Sequence, residues 1–594
     1  MNPDTLLRDE IEQAILALFG KAPESIQLQP TNPEFEGSHT LVCFPLSRVS
    51  GKNPAETAKI IGDYLLAHSS VVASYQVVKG FLNLTLHDHA WVKTLETIYA
   101  ASNYGIQPPS GEEIMVEFSS PNTNKPLHLG HLRNNFLGWS VSQLLEANGY
   151  KVHKVQIIND RGIHICKSMA AWKLYGDGET PKTANIKGDH LVGNYYVAFD
   201  KAYRAQVAAL VEKGMPKEQA EKEAPIMQLA SEMLRKWEAK DPETVALWEK
   251  MNGWVYEGFD ITYRAMGVSF DRLYYESQTY LLGKEIVLKG LEDGIFFRKE
   301  DGSVWVDLRA EGLDEKVLLR ADGTSVYITQ DIGTAVLRFN DFPNIVGQIY
   351  TVGNEQEYHF KVLFLILAKL GYAWAQRCYH LSYGMVDLPS GKMKSREGTV
   401  VDADDLIAEM IDEAEKQTRE LGKVDEMTDE EARALYRMIG LGALKFFLLK
   451  VDPKKRMLFN PNESIQLQGF TGPFVQYTHA RIRALLRKAE AAGVTASVEG
   501  LDNVILEPAE REVIIVLSRF PERVREAGAT YSPALIANYV YELAKEYNQF
   551  YQSIPVLSEA DPVRVRFRVA LSEAVGRTIR TAMRLLGIDV PERM

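Results

Sequence analysis

Hydrophobic residues recur at helical spacing near the start of the chain, where they form one apolar stripe: Leu6, Leu7, Ile11, Ile15 and Leu18. Runs of β-branched and aromatic residues follow at 40–44 and 81–86, on either side of a helical pattern at 54–66. The Pro- and Gly-containing segment 108–111 then interrupts the pattern. Residues 1–107 are therefore predicted to form a small α+β domain.

Short apolar runs alternate with helical patterns through the middle of the chain, which favours an α/β fold with a doubly wound parallel sheet. The predicted strands are 114–118, 152–158, 346–352 and 379–383. Between about 185 and 300 the pattern changes to charged helices, such as 216–240, and we expect an insertion there. A further β-strand is predicted at 303–308. Residues 108–458 are thus predicted to be a Rossmann-like domain, with ligands at the carboxyl ends of its strands.

From residue 459 onward the apolar positions follow a helical period, including 534–550 and 564–586, which predicts an all-α bundle over 459–594. The segment 564–586 holds six arginines and one acid, Glu573. Its basic face and the aromatic residues upstream are Arg577, Arg580, Arg584, Tyr547, Phe550 and Tyr551. Such a surface suits a phosphate backbone and unstacked bases, although a solvated helix can have the same composition.

Composition excludes several classes of protein. With 46% hydrophobic and 25% charged residues, the 594-residue chain resembles ordinary globular proteins. The net charge of −12 means that any nucleic-acid surface must be locally basic. Cys43, Cys166 and Cys378 are far apart, which predicts neither disulfides nor a zinc site and fits a reducing cytoplasm. The N-terminus has no apolar signal-peptide core, and the most apolar run, 362–370, is too short to span a bilayer.

The most informative segment is His128-Leu129-Gly130-His131, between the strand at 114–118 and an apolar helix. A helix N-terminus binds anions through its free N–H groups and its positive dipole end. Gly130 permits close approach of a flat ligand, and Lys125 adds a positive charge nearby. The segment therefore predicts a phosphate site. Simple capping of the helix is the alternative, and a zinc site is disfavoured because the H-E-x-x-H spacing is absent.

A second basic segment follows at 391–399, GKMKSREGT, between a predicted strand and a helix that begins near Asp402. Lys392, Lys394 and Arg396 lie close together in it, which matches a triphosphate. An exposed basic loop is the alternative interpretation. Its place after the HLGH segment on the same predicted sheet favours phosphate binding.

Acidic residues at two positions suit a ligand that carries a guanidinium group, which prefers planar carboxylates. Glu117 is the polar residue of an otherwise apolar strand, where an unpaired carboxylate would be costly. Tyr327 and Asp331 are four residues apart, so they share a face if a helix begins there.

The string SSPNTNKPLHLGH (119–131) resembles the first nucleotide-binding motif of class I aminoacyl-tRNA synthetases, and its flanks resemble the bacterial arginyl-tRNA synthetases. The segment 392–396 resembles the second motif, KMSKS, imperfectly: the second lysine of that motif falls on Ser395, so Lys394 or Arg396 would replace it. Segments at 35–39, 51–54 and 79–83 are similar to the family's N-terminal domain, which contacts the outer corner of tRNA. GPFVQYTHAR (472–481) and the helical segments after it resemble the family's anticodon-binding bundle, except that Phe470 stands where the family has Asn.

The resemblance implies a cytoplasmic, monomeric enzyme that uses ATP, with Mg²⁺ carried by ATP and no structural zinc, and that joins L-arginine to tRNA(Arg) without membrane or DNA partners. It implies catalytic roles for Lys125, His128, His131, Lys392 and Lys394. It implies ATP contacts from Pro121, His128, Gly130, His131, Gly353, His359, Lys392, Met393 and Ser395. It implies arginine contacts from Glu117, Asn122, His128, Tyr327, Asp331 and Gln356. It implies tRNA contacts from Gln476, Arg481, Tyr547, Asn548, Tyr551, Arg577 and Arg580.

Three other functions stay open at this stage. A small-molecule nucleotidylyltransferase would share the HxGH chemistry but would not need a basic helical domain. A catalytically inactive tRNA-binding paralogue would keep the helical domain, but the intact His128, His131, Glu117 and Asp331 argue against it. A class I synthetase of another amino-acid specificity is disfavoured because several of those families carry cysteine clusters that this chain lacks.

Overall fold

A computed structural model of the chain describes residues 3–32, 34–387, 401–420, 427–501 and 504–594. Its N-terminal part is an antiparallel sheet of order β1-β2-β4-β3 covered by helices. Both predicted helices and both predicted strands are present, and two further strands complete the sheet. The elements are α1 (Pro3–Phe19), β1 (Leu28–Pro30), β2 (His39–Val42), α2 (Ser47–Ser50), α3 (Pro54–His68), β3 (Val72–Val78), β4 (Phe81–Leu86) and α4 (Asp88–Ala100).

A five-stranded parallel sheet of order β12-β11-β5-β6-β7 forms the centre of the molecule and confirms the predicted α/β fold. Its first elements are β5 (Glu113–Glu117), α5 (Leu129–Ala147), β6 (Lys151–Ile158) and α6 (Ile163–Tyr175). The next helices are α7 (Pro181–Ala184), α8 (Gly188–Glu212), α9 (Lys217–Glu223), α10 (Pro225–Glu238) and α11 (Pro242–Met266). Then come β7 (Arg272–Tyr275), α12 (Glu276–Thr279), α13 (Gly283–Glu292), β8 (Phe297–Arg298), β9 (Val304–Val306) and β10 (Lys316–Leu319).

The second half of this region returns the chain to the sheet. Its elements are α14 (Tyr327–Asp341), β11 (Ile345–Gly353), α15 (Glu357–Lys369), β12 (Cys378–Tyr383), β13 (Val386–Asp387), α16 (Ala403–Glu420), α17 (Asp429–Leu449) and β14 (Met457–Leu458). All four predicted strands are present in the parallel sheet. The helix predicted at 216–240 is instead two helices, α9 and α10, because Pro225 disfavours the helical conformation at the residue before it.

Strand β7 is an edge strand of the parallel sheet that the sequence pattern did not predict. It has only four residues and lies inside the interval expected to be an insertion of charged helices. That interval therefore contributes a strand to the central sheet as well as helices. Helices α8, α10 and α11 pack against α6, and Met251, Val255 and Phe259 of α11 are buried in the core.

Helix α5 is packed closely against strand β5 at Gly138. A Cβ at this glycine would lie 2.7 Å from Cδ1 of Phe118, whose side chain is fully buried. The chain leaves β5 through Ser119, which has a left-handed backbone (φ 60°) and donates its N–H to Asn134 Oδ1 over 2.6 Å. These two features direct the loop 119–128 over the carboxyl edge of the sheet.

The C-terminal part is an all-α bundle, as predicted. Its helices are α18 (Pro461–Ser464), α19 (Gly472–Ala491), α20 (Pro508–Ser518), α21 (Phe520–Thr530), α22 (Pro533–Ser553) and α23 (Pro562–Leu585). Phe470, the departure noted in the sequence, packs against Phe446 of α17 and Tyr541 of α22 at ring distances of 5.5 and 4.8 Å. Within the described ranges, no helix combines the length and the apolar character needed to cross a membrane.

Candidate functional site

The HLGH segment forms the N-terminus of α5, with His128 as the N-cap residue and His131 in the first turn. His128 Nδ1 accepts a hydrogen bond from the N–H of Gly130, and His131 Nδ1 accepts one from the N–H of His128, each over 3.1 Å. The ring centroids are 3.9 Å apart. Because Nδ1 is an acceptor in both rings, the proton of each neutral imidazole is on Nε2, which can donate to a bound group.

Both imidazoles are held in the neutral form. Burial, and then the charge of Lys125, lowers the pKa of His128 to about 3. Burial lowers the pKa of His131 as well, with smaller contributions from His128 and Lys125. Burial also lowers the pKa of Lys125. The site therefore offers two neutral N–H donors beside one lysine, a combination that suits an anion at the positive end of a helix.

The other residues expected to contact ATP differ in how far they are buried. Pro121 is buried, and its carbonyl accepts the N–H of Asn159 over 2.9 Å. Gly353 ends β11, where a Cβ would come within 2.8 Å of Glu355 Cδ. His359 is half-buried near the start of α15. Residues 388–400, which include Lys392, Met393, Lys394 and Ser395, are outside the described residues.

Glu117 ends strand β5, and its buried carboxylate forms an ion pair with Arg338 of α14. The Arg338 side chain is 1% exposed and lies beside the rings of Tyr274 and Tyr350, at 5.0 and 5.9 Å. Sequence reasoning missed Arg338 and left the charge of Glu117 for a ligand to neutralise. The structure corrects that reasoning: the chain itself supplies the partner that makes burial of this carboxylate tolerable.

Tyr327 and Asp331 lie one turn apart on the same face at the start of α14, as their spacing predicted. Tyr327 is 78% exposed, and Asp331 Oδ2 lies 2.6 Å from His359 Nε2. Gln356, just before α15, is exposed, and Asn122 is exposed near the start of the 119–128 loop, where it pairs with Asn159 as a continuation of the sheet. Tyr327 and Asp331 are thus accessible on one side of α14, where His359 of α15 contacts Asp331.

Glu276 is an acid at this edge of the sheet that sequence reasoning missed. It comes directly after β7, so it was overlooked together with that strand. Burial raises the pKa of Glu276 to about 7, with Arg161 opposing and the charges of Asp160 and Asp331 adding to the increase. Helix α12, which begins at Glu276, packs against α14, which carries Asp331. A half-buried carboxyl with this perturbed pKa is typical of a functional site.

Asp160, near the end of β6, has a different role. Its carboxylate accepts hydrogen bonds from the N–H and hydroxyl of Ser277 and from the hydroxyl of Tyr256, over 2.7 to 2.9 Å. It is 1% exposed and fully occupied by these donors. Asp160 therefore joins the end of β6 to α11 and α12, next to the place where Arg161 Nη1 lies 3.8 Å from Glu276 Oε1.

In the helical bundle, the structure separates the residues expected to contact tRNA into two groups. Gln476 and Tyr547 are fully buried: Gln476 Nε2 donates to the carbonyls of Met438 and Asp589, and the Tyr547 hydroxyl donates to Ser572. Their burial contradicts direct contact with tRNA in this conformation. Asn548 is 9% exposed and is bound by Arg481 and Thr478.

The second group is accessible. Arg481 lies over the ring of the half-buried Tyr551 at 5.3 Å, and Arg577 and Arg580 are exposed on α23. Arg580 is paired with Glu592, and Arg577 donates to the carbonyl of Tyr99 in α4 over 2.9 Å. Arg577 therefore also connects the N-terminal part of the chain to the bundle.

Comparisons with known proteins match this architecture over its whole length. The family model described as "tRNA synthetases class I (R), catalytic domain" matches residues 94–460, "DALR anticodon binding domain" matches 475–594, and "Arginyl tRNA synthetase N terminal domain" matches 5–86. An arginine–tRNA ligase of Amoebophilus asiaticus is 56% identical over all of both chains, and one of Bacteroides fragilis is 57% identical over all of both chains. The solved arginyl-tRNA synthetase of Thermus thermophilus is 26% identical with a TM-score of 0.80, over 99% of this chain and 100% of that one.

Proposed function

The chain belongs to the arginyl-tRNA synthetase family of class I enzymes and is an arginine–tRNA ligase, and from this premise we propose which residues carry each step. The reaction has two steps. The carboxylate of arginine attacks the α-phosphorus of ATP, which gives arginyl-adenylate and pyrophosphate. A ribose hydroxyl of the terminal adenosine of tRNA then attacks the arginyl carbonyl, and AMP leaves.

Neither step needs a covalent intermediate on the protein, so the contribution of the chain is positioning and charge stabilisation. We propose that the Nε2–H groups of His128 and His131 donate to the phosphates, with the α5 N-terminus and Lys125 beside them. Neutral imidazoles suit this task, because they donate without adding charges that would have to be desolvated. Lys392 and Lys394 are proposed to bind the β and γ phosphates on sequence grounds, and Mg²⁺ arrives with ATP as part of that substrate.

The accessible acids at the carboxyl edge of the sheet are proposed to bind the guanidinium of the amino acid. Asp331 is the main candidate, because it shares a face with Tyr327 and is open to solvent. Glu276 is proposed as the second acid, and Gln356 and Asn122 as polar contacts. Glu117 is proposed to act together with Arg338. Because Arg338 already neutralises the charge of the Glu117 carboxylate, this pair adds no net charge to the arginine site.

tRNA is proposed to bind along the accessible arginines of the bundle. Arg481, Tyr551 and Arg580 combine cationic and aromatic groups that suit a phosphate backbone and unstacked bases. Asn548 is proposed to hold Arg481, whereas Gln476 and Tyr547 are left as packing residues. We propose residues 1–107 as a tRNA-contacting domain, 108–458 as the catalytic domain with its insertion, and 459–594 as the anticodon-binding domain.

We propose that the enzyme acts in the cytoplasm as a monomer, with tRNA(Arg) and L-arginine as its partners and without a membrane or DNA partner. The free cysteines support the cytoplasmic assignment, because a reducing compartment keeps thiols unpaired. No structural zinc is proposed.

The observation that carries the residue assignment is that two neutral imidazoles and the accessible acids lie at the carboxyl edge of one parallel sheet. Arginine-dependent exchange between ATP and labelled pyrophosphate tests it, run with each amino acid and with or without tRNA(Arg). Exchange with arginine alone among the amino acids is expected. Exchange with another amino acid would contradict the pocket assignment, and tRNA binding without exchange would identify an inactive paralogue.

A further inference from the structure

The start of the nucleotide-binding helix α5 is held by a short backbone pairing with a distant part of the chain. The N–H of Leu129 donates to the carbonyl of Val401 over 3.1 Å, and the N–H of Ala403 donates to the carbonyl of Leu127 over 2.9 Å. His128 and Asp402 face each other in this antiparallel bridge. The position of the His128 backbone, whose N–H is bound by the His131 ring, is therefore coupled to residues 401–403.

Residues 401–403 are in turn fixed by the first residues of α16. Asp402 Oδ1 accepts the N–H groups of Asp404 and Asp405, over 2.8 and 3.2 Å. The carboxylate of Asp404 points away from α16 toward the helices between β6 and β7. Its Oδ1 accepts the Thr262 hydroxyl of α11 over 2.9 Å, and its Oδ2 accepts the ammonium of Lys187, which directly precedes α8.

Lys187 is the centre of this cluster. Besides Asp404, its Nζ donates to Thr262 Oγ1 over 2.6 Å and lies 3.3 Å from Asp189 Oδ2. His190 Nε2 is also 3.2 Å from Asp404 Oδ2 and 3.4 Å from Asp402 Oδ2. Asp189 is fully buried, and its carboxylate oxygens accept no hydrogen bond from the described residues, so the nearby ammonium supplies the compensating charge.

Asp189, His190 and Asp404 are also close enough together to hold a metal ion. Lys187, however, already places a positive charge between two of these carboxylates. A metal ion there would have to displace the lysine. The observed contacts therefore favour an internal ion-pair network over a metal site.

We propose that Asp404 is a positioning residue for the adenylation step: with Lys187 and Thr262 it fixes the 401–403 backbone, and this backbone fixes His128 and His131. The helices α8 and α11 are then part of the nucleotide site, although none of their residues need touch ATP. A second contact supports this coupling, because a Cβ at Gly193 of α8 would fall 2.8 Å from Pro126 Cδ, next to Lys125. The inference rests on the proposed phosphate-binding role of His128 and His131.

The test compares the full-length enzyme with Asp404→Asn, Lys187→Met, the double variant and Lys187→Arg, with the exposed neighbour Asp405→Asn as the matched control. Arginine-dependent ATP–pyrophosphate exchange is measured in saturating tRNA(Arg) over a range of ATP concentrations. A displacement of about 1 Å at a catalytic group costs up to about 100-fold. We expect Asp404→Asn to lower kcat about tenfold or more, with the KM for arginine and the tRNA affinity within about twofold of wild type.

Two further results are expected if Asp404 and Lys187 act through one another. The double variant should be no slower than the slower single variant, since residues that act as a unit are not additive. Lys187→Arg, which keeps the cation, should recover most of the kcat lost in Lys187→Met. Thermal melts followed by circular dichroism should place Asp404→Asn and Lys187→Arg within a few degrees of Asp405→Asn. Lys187→Met removes the cation that compensates the buried Asp189, so it and the double variant are expected to melt at a lower temperature, and their exchange is measured where circular dichroism shows them to be folded.

The proposal is overturned if Asp404→Asn matches Asp405→Asn in kcat, if the two single losses multiply in the double variant, or if the loss of activity follows loss of folded protein. It is also overturned if purified wild type contains one zinc per chain by elemental analysis and Asp404→Asn lacks it. Failure of the phosphate-binding role itself would be distinguishable, because His131→Ala would then retain full exchange whatever the effect at Asp404.

Discussion

At the residue scale, the two imidazoles show how the backbone can set the chemistry of a side chain. In each ring, a main-chain N–H occupies Nδ1, so the neutral ring must present a donor at Nε2. Burial keeps the rings neutral at physiological pH. The nucleotide site can therefore stabilise developing phosphate charge without a proton having to be bound or released first.

His131→Ala removes one of these donors. We expect it to lower arginine-dependent ATP–pyrophosphate exchange by about 100-fold, the usual cost of losing one preorganised donor to a developing charge. Affinity for tRNA, measured by filter binding, should stay near that of wild type. His68→Ala, an exposed histidine at the end of α3, serves as the control for exchange and should leave that activity unchanged. An equal loss of exchange and tRNA binding in His131→Ala would indicate misfolding instead.

The raised pKa of Glu276, about 7, predicts a pH dependence of arginine binding. Below pH 7 this carboxyl is protonated and neutral, and above pH 7 it is a carboxylate that attracts the guanidinium. The KM for arginine should therefore fall as the pH rises from 6 to 8, by about tenfold if the charge pair contributes about 1.4 kcal/mol. Glu276→Gln should have a high KM that no longer changes with pH. A wild-type KM that is flat over this range would remove Glu276 from the pocket.

The sequence sufficed for residues whose function follows from local spacing. His128 and His131, and Tyr327 with Asp331, lie on helix starts that the pattern predicted. Local spacing could not identify Arg338 or Glu276, because their roles depend on contacts with distant segments. Arg338 of α14 pairs with Glu117 of β5, and Glu276 follows β7, a strand that was not predicted. The same limit explains Gln476 and Tyr547: polar side chains on an amphipathic helix do not reveal from spacing alone which face the bundle buries.

At the scale of elements, the close contact between α5 and β5 sets the position of the catalytic helix. Four of the five strands of the parallel sheet were predictable from apolar runs rich in β-branched residues, whereas β7 was not, because a four-residue edge strand between helices has no pattern of its own. Helix α5 meets β5 at a glycine, and the buried ring of Phe118 fills the space that a side chain would need. The distance between α5 and β5 therefore depends on the absence of a side chain at Gly138.

Gly138→Ala is expected to reduce the free energy of unfolding by about 1–3 kcal/mol through overpacking against Phe118. Denaturant unfolding followed by circular dichroism measures it. Gly253→Ala is a matched control: this glycine lies inside α11, and nothing lies within 4 Å of an added Cβ. There the same substitution should stabilise by about 0.5–1 kcal/mol through helix propensity. Similar effects at the two glycines would show that packing at Gly138 is not tight.

At the scale of the whole molecule, the N-terminal part is attached directly to the C-terminal bundle. Asp88 at the start of α4 accepts two hydrogen bonds from Arg511 of α20, over 2.9 and 2.7 Å, and Tyr99 donates to Glu573 of α23 over 2.9 Å. Arg577 adds its contact with the Tyr99 carbonyl. The sequence predicted the three parts of the chain but could not predict this attachment, which depends on pairs more than 400 residues apart.

Asp88→Asn should loosen this attachment, because it removes the charge from a half-buried pair of hydrogen bonds with arginine. We expect the free energy of unfolding to fall by about 1 kcal/mol and limited proteolysis near 101–111 to become faster. Asp9→Asn, at an exposed position of α1, is the control and should change neither. Unchanged proteolysis in Asp88→Asn would show that the Tyr99 contacts hold the two parts together on their own.

The contact between α5 and the bundle has a consequence for how the chain is made. Ser140 in the middle of α5 donates to the carbonyl of Leu585, at the end of α23, over 2.7 Å, and Lys445 of α17 donates to Gly587 just beyond it. During synthesis, the catalytic helix leaves the ribosome hundreds of residues before the surface that covers it. A chain cut short before α23 would keep every catalytic residue but expose the buried side of α5. Incomplete products of translation that lack α23 are therefore expected to be unstable and inactive, because they cannot cover the buried side of α5.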